Sequence, residues 1–251
     1  MEPEIDEWDG PHPQISFGRR EIRDLLLSSI VLSVGMALVL GGRKGDPLTL
    51  PTGIDAFDWP AFFTILPFAA LATNPAFILH ELAHKLVAQK KDLAAEFLVH
   101  PWGLSLAMLS PALFKILLAA PGVVEIYDER ALRQAELSPL ERREQRRDAG
   151  LISVVGPMVN LILAYAAFLL DGAFRSAGHI VRVPASEASG IGNTAFELIM
   201  LINVVLAAFN MLPINPFDGR KILRWSWGAF LGVWALIVTI IVLAVSRAGL
   251  L

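Results

Sequence analysis

The chain has 251 residues, of which 55% are hydrophobic and only 18% charged. Soluble domains run at about 45–50% apolar and about 25% charged, so this balance, with a mean hydropathy of +0.56, argues against an ordinary soluble enzyme. Cysteine is absent, which excludes disulfides, Cys nucleophiles and Cys-based metal sites. The net charge of −3 argues against a nucleic-acid partner.

In chain order, residues 1–24 open on acids (Glu2, Glu4, Asp6, Glu7, Asp9) and lack the basic start of a signal peptide. They read as an acidic cytoplasmic tail. A bilayer core of about 30 Å needs about 20 apolar residues in a helix. Five uncharged stretches are expected to cross: 25–42, 59–79 continuing as helix to 90, 149–170, 198–217 and 225–246. Within the second, Asn74-Pro75 reads as an N-cap followed by a first-turn proline. Residues 101–120 carry Pro111 and Lys115 and read as a re-entrant or surface hairpin, or a sixth hydrophobic segment. Short β-like runs, Glu96–Val99 and Gly122–Tyr127, flank it. Ser138 and Glu141 have capping-box spacing at the start of a charged helix leading into the third span. Pro213 and Pro216 cannot continue the fourth. Irregular backbone is expected from about Met211 to Gly219, tolerated at membrane depth only where protein or water satisfies it. With the N-terminus cytoplasmic and 101–120 not crossing, 15 Lys and Arg fall inside and 5 outside, as the positive-inside rule requires.

The chemistry is concentrated in His80-Glu81-Leu82-Ala83-His84. Positions i and i+4 share one helix face, so the two imidazoles can take two tetrahedral positions on a zinc ion. Glu81 projects beside them and can act as base toward a water on the metal. Ionisable side chains in a spanning helix are costly and mark function by default. His84 lies six residues before Lys90, or about 9 Å, which sets the site within the bilayer but nearer the cytoplasmic face. A hydrolytic site needs a third protein ligand and an open position. Among the acids Asp218 fits best, because the second and fourth segments run in the same direction and bring it to the depth of His84. His12, His100 and His179 lie in polar or loop contexts.

Three separated motifs then carry a resemblance: His80-Glu81-x-x-His84; Gly156-Pro157-Met158-Val159-Asn160 in the third span; and Asn210-x-x-Pro213-x-x-Pro216-x-Asp218-Gly219. In order and membrane placement the sequence resembles the site-2 protease family of intramembrane zinc metalloproteases, over roughly residues 17 to 224. The resemblance implies one Zn2+ per chain on His80, His84 and Asp218, with Glu81 as general base. It implies that Asn210 sits near the active site and handles substrate backbone or the oxyanion, the bland alternative being an interhelical hydrogen bond. Asn160 and Gly156 have a structural reading as helix-packing residues. The fold expected is an all-α polytopic membrane protein of five to six transmembrane helices, with a small β element and a hairpin near the active site. Residues 25–251 would form one membrane-embedded metalloprotease domain, in the cell membrane, acting on a single-span membrane-protein or peptide substrate. Two other readings stay open at this point: a divalent-cation transporter, and a catalytically silent family member.

Overall fold

The computed structural model describes residues 17–42, 44, 50–51, 53–118, 121–128, 130, 136–183 and 194–247. Glu2, Glu4, Asp6, Glu7 and Asp9 of the tail, His12, Arg43 and Arg133 lie outside the described residues. The chain runs α1 (Arg19–Ala37, extended by a π-helical turn Leu38–Gly42), α2 (Trp59–Gln89), β1 (Ala94–Val99), α3 (Pro101–Phe114), β2 (Gly122–Tyr127), α4 (Pro139–Ser176), α5 (Ala195–Asn210), α6 (Asp218–Trp225) and α7 (Trp227–Arg247).

Among the described residues, four helices are long and apolar enough to cross a membrane: Arg19–Gly42, Trp59–Gln89, Pro139–Ser176 and Trp227–Arg247. Their outward faces carry large apolar residues, such as Ile162 and Leu169 on α4 and Leu231 and Val238 on α7. Such a face is stable against lipid tails and costly against water. The expected fourth span, 198–217, is helical as the 16-residue α5, about 24 Å of helix, which ends at Asn210 where irregular backbone is expected to begin. Its terminus precedes Pro213 and Pro216, which forbid continuation.

One boundary differs from expectation. Asn74 is no N-cap: α2 runs unbroken through Pro67 and Pro75, and its cap is Asp58, which accepts from the Ala61 N–H at 3.1 Å. Proline is tolerated inside a membrane helix where neighbours re-satisfy the freed groups. Asn74 serves packing instead, its Oδ1 accepting from Ser33 Oγ on α1 at 2.9 Å. The third span is the C-terminal part of α4, 38 residues long, which begins at the capping box of Ser138 and Glu141.

Strands β1 and β2 pair antiparallel, from Ala94 against Tyr127 to Val99 against Gly122. The chain therefore leaves β1 and enters β2 at one end of the sheet, with α3 packed on α1. Two outward N–H groups of β1 are covered. Glu21 accepts from the Phe97 N–H at 3.1 Å and Asp24 from the Val99 N–H at 3.3 Å. At the far end Arg130 bridges Asp128 and Asp148, each at 2.9 Å, and Lys91 reaches Asp148 at 2.7 Å. The bond to Asp128, above all, keeps the Arg130 guanidinium protonated beyond its ordinary range. Helix α4 packs against α2, α5, α6 and α7, and these contacts set the height of the site.

Candidate metal centre

His80 and His84 lie on the buried face of α2, and Asp218 is the first residue of α6. All three are buried. Nε2 of His80 and Nε2 of His84 are 3.0 Å apart, and Asp218 Oδ2 lies 3.3 Å from the first and 3.0 Å from the second. Ligands at about 2.0–2.1 Å in a tetrahedron stand about 3.3 Å from one another. Three donor atoms at that spacing, with no proton needed between them, fit a zinc ion and leave a fourth position open. Among the described residues these are the three side chains grouped as a possible metal site.

The other imidazole nitrogens are already engaged. His80 Nδ1 lies 2.6 Å from Asn160 Oδ1, and His84 Nδ1 lies 2.7 Å from the backbone carbonyl of Ile152. Each acceptor fixes the tautomer that carries its proton on Nδ1 and turns the Nε2 lone pair to the metal. Asn160 is itself held. Its Nδ2 donates at 3.0 Å to the carbonyl of Ala76 and at 3.0 Å to Asn203 Oδ1, while Asn203 Nδ2 donates to the carbonyl of Ile199 at 2.8 Å. The chain of bonds joins α2, α4 and α5 at the depth of the metal.

Gly156 explains how α4 comes so close. A Cβ there would stand 2.5 Å from both Cε1 and Nε2 of His84 and 2.6 Å from Cε1 of His80. Gly219 does the same at the third ligand: a Cβ would overlap the backbone carbonyl of Met211. Loop 211–217 can thus fold directly under α6 and present Asp218 to α2.

A cavity of about 40 Å³ opens on the three ligands, and Glu81, Asn210 and Lys221 also line it. One water needs about 10–15 Å³, so the ion's neighbourhood has room for a reactant. Asn210 donates from Nδ2 to the carbonyl of Leu206 at 3.1 Å, within its own helix. Val124 and Ile126 of β2 form part of the cavity wall. His100 caps α3 and His179 follows α4, both exposed and neither part of the cluster. Sequence reasoning missed Asn203 and the Ile152 carbonyl. Asn203 left a signal, an amide in an apolar helix seven residues before Asn210. The carbonyl left none, because every residue has one.

A protein of Methanocaldococcus jannaschii named "putative zinc metalloprotease" is 33% identical over 212 residues, which cover 84% of this chain and 86% of the relative. A protein of Bacillus subtilis with the same designation is 31% identical over 170 residues, covering 64% of this chain and 69% of the relative. No family model matches the chain, and no solved structure matches it.

Proposed function

The chain belongs to the family of these two zinc metalloproteases, and on that premise we propose that it is an intramembrane protease of the site-2 type. It hydrolyses peptide bonds within or near the transmembrane segment of a single-span membrane protein or peptide, in the cell membrane, with its active site nearer the cytoplasmic face. The observation that carries this reading is a zinc-compatible set of three ligands, His80 and His84 on a 31-residue apolar helix and Asp218 at the start of α6. A protease of soluble substrates has no use for ligands at that depth.

When bound, zinc supplies Lewis acidity and a water of lowered pKa. His80, His84 and Asp218 would hold it. Glu81 lines the same cavity and takes the water's proton, then passes it to the leaving amine. Asn210 faces the cavity from the end of α5 and holds the carbonyl oxygen as charge develops there. The substrate must be unwound first, since a helix spends its carbonyls on itself. An extended chain then pairs with β2, whose Val124 and Ile126 border the cavity. From sequence, Glu96–Val99 or Leu212–Pro216 would hold the extended chain. The first loses its place because the outward N–H groups of Phe97 and Val99 are taken by Glu21 and Asp24.

The test is cleavage in lipid vesicles of a labelled single-span substrate with an easily unwound helix, the cut located by mass spectrometry. A cut inside the span, abolished by a zinc chelator and restored by zinc, is the expected result. A cut confined to the soluble flanks would overturn intramembrane cleavage.

A further inference from the structure

Glu21 and Lys85 form an ion pair that is almost wholly buried, at 1% and 3% exposure. Lys85 follows the metal ligand His84 on α2, and Glu21 stands in the first turn of α1. Neither belongs to the catalytic constellation. Burying two charges is costly even when they are paired, and Lys85 also covers the Phe17 ring at 4.2 Å. The second oxygen of Glu21 is engaged as well, accepting the Phe97 N–H of β1. Asp24, one turn on, accepts the Val99 N–H.

These two bonds fix which backbone groups of β1 face α1. With the Phe97 and Val99 N–H groups turned to α1, the alternation of an antiparallel ladder assigns its hydrogen-bonded pairs to Glu96–Glu125 and Leu98–Val123. The backbone groups of Gly122, Val124 and Ile126 then point away from β1, along the edge beside the metal cavity. A one-residue slip would exchange the two sets.

We propose that Glu21, Asp24 and Lys85 are positioning residues that cap the outer edge of β1, tie it to the helix bearing the metal ligands, and so make β2 the single edge to which an extended substrate adds. The inference rests on the proposed intramembrane cleavage and names the device that selects the scissile bond. Lys85 anchors the cap one residue from a ligand, so the height of β2 over the metal is held by one short path. Substrate backbone bonded to Val124 and Ile126 is thereby placed at a fixed phase relative to the zinc position.

Two double variants separate the acceptor from the charge. In Lys85→Met with Glu21→Gln the charges are gone but an amide oxygen still accepts from Phe97. In Lys85→Met with Glu21→Met the acceptor is lost as well. The first should cleave the wild-type bond with near wild-type KM. The second should keep its zinc and its helix content, lose about 10- to 100-fold in kcat/KM, and scatter its cuts over neighbouring bonds. Amide hydrogen exchange gives a readout without substrate: Phe97 should exchange slowly in the wild type and the Gln variant and fast in the Met variant. The same cut, KM and Phe97 exchange in both variants would overturn the proposal, as would a Met variant that loses zinc together with activity. A wild type that never cuts within a span while Phe97 behaves as expected would instead overturn the proposed function and, with it, the substrate-positioning role.

Discussion

Each metal-facing imidazole is held by a hydrogen bond on its opposite nitrogen, His80 by Asn160 and His84 by the Ile152 carbonyl. That arrangement makes Asn160 a ligand-orienting residue as well as an interhelical one. Losing such a partner typically weakens metal binding about 10- to 100-fold. Asn160→Ala should therefore lower zinc affinity by that factor, measured by competition against a chelator of known affinity, while the helices remain formed. Unchanged affinity would show that α2 orients His80 unaided. The His-Glu-x-x-His pair is legible in sequence because its chemistry needs two residue types at one helical spacing. Asn160 and Gly156 are legible as packing residues, and the structure adds what they pack against. The acceptors of the Nδ1 protons are less legible, since one is a backbone atom and the other lies 80 residues from its partner.

The third ligand depends on a joint between elements. Helix α5 stops at Asn210, loop 211–217 turns under it, and α6 begins at Asp218. Gly219 permits the turn because its missing side chain leaves room for the Met211 carbonyl. Gly219→Ala is expected to push α6 away from α5, abolish zinc binding and leave the secondary structure content intact. Zinc content of the purified variant checks this, and a full zinc site would refute it. Hydropathy alone carries the fourth segment to residue 217, but the prolines place the start of irregular backbone at about Met211, and α5 ends at Asn210. At Pro67 and Pro75 the opposite happens, and α2 continues through both. A local rule about proline is decided by whether neighbouring helices satisfy the freed groups, which local sequence does not display. The capping box at Ser138 is readable because both partners lie within four residues.

Seen whole, the molecule suspends its metal set between α2 and α6, with α4 as the common support and a two-stranded hairpin as one wall of the cavity. Hydropathy reveals α1, α2, α4 and α7, because a helix exposed to lipid must be apolar along its length. It reveals α5 too but runs past its end, and it does not show that the strands on either side of α3 pair with each other. That pairing joins residues more than 20 positions apart. The charge pairs Glu21–Lys85 and Arg130–Asp148 join side chains distant in the chain and are invisible in sequence for the same reason.

The central claim is that one zinc on His80, His84 and Asp218 works with Glu81 to cut peptide bonds in the membrane. Its most direct test is a paired determination on Glu81→Gln reconstituted in lipid: zinc per chain, and turnover of a single-span substrate. The account predicts about one zinc per chain, as in the wild type, with turnover reduced by about 10²- to 10⁴-fold, the range ascribed to a positioned general base. Wild-type turnover in Glu81→Gln, or a wild-type protein that binds no zinc, would contradict it.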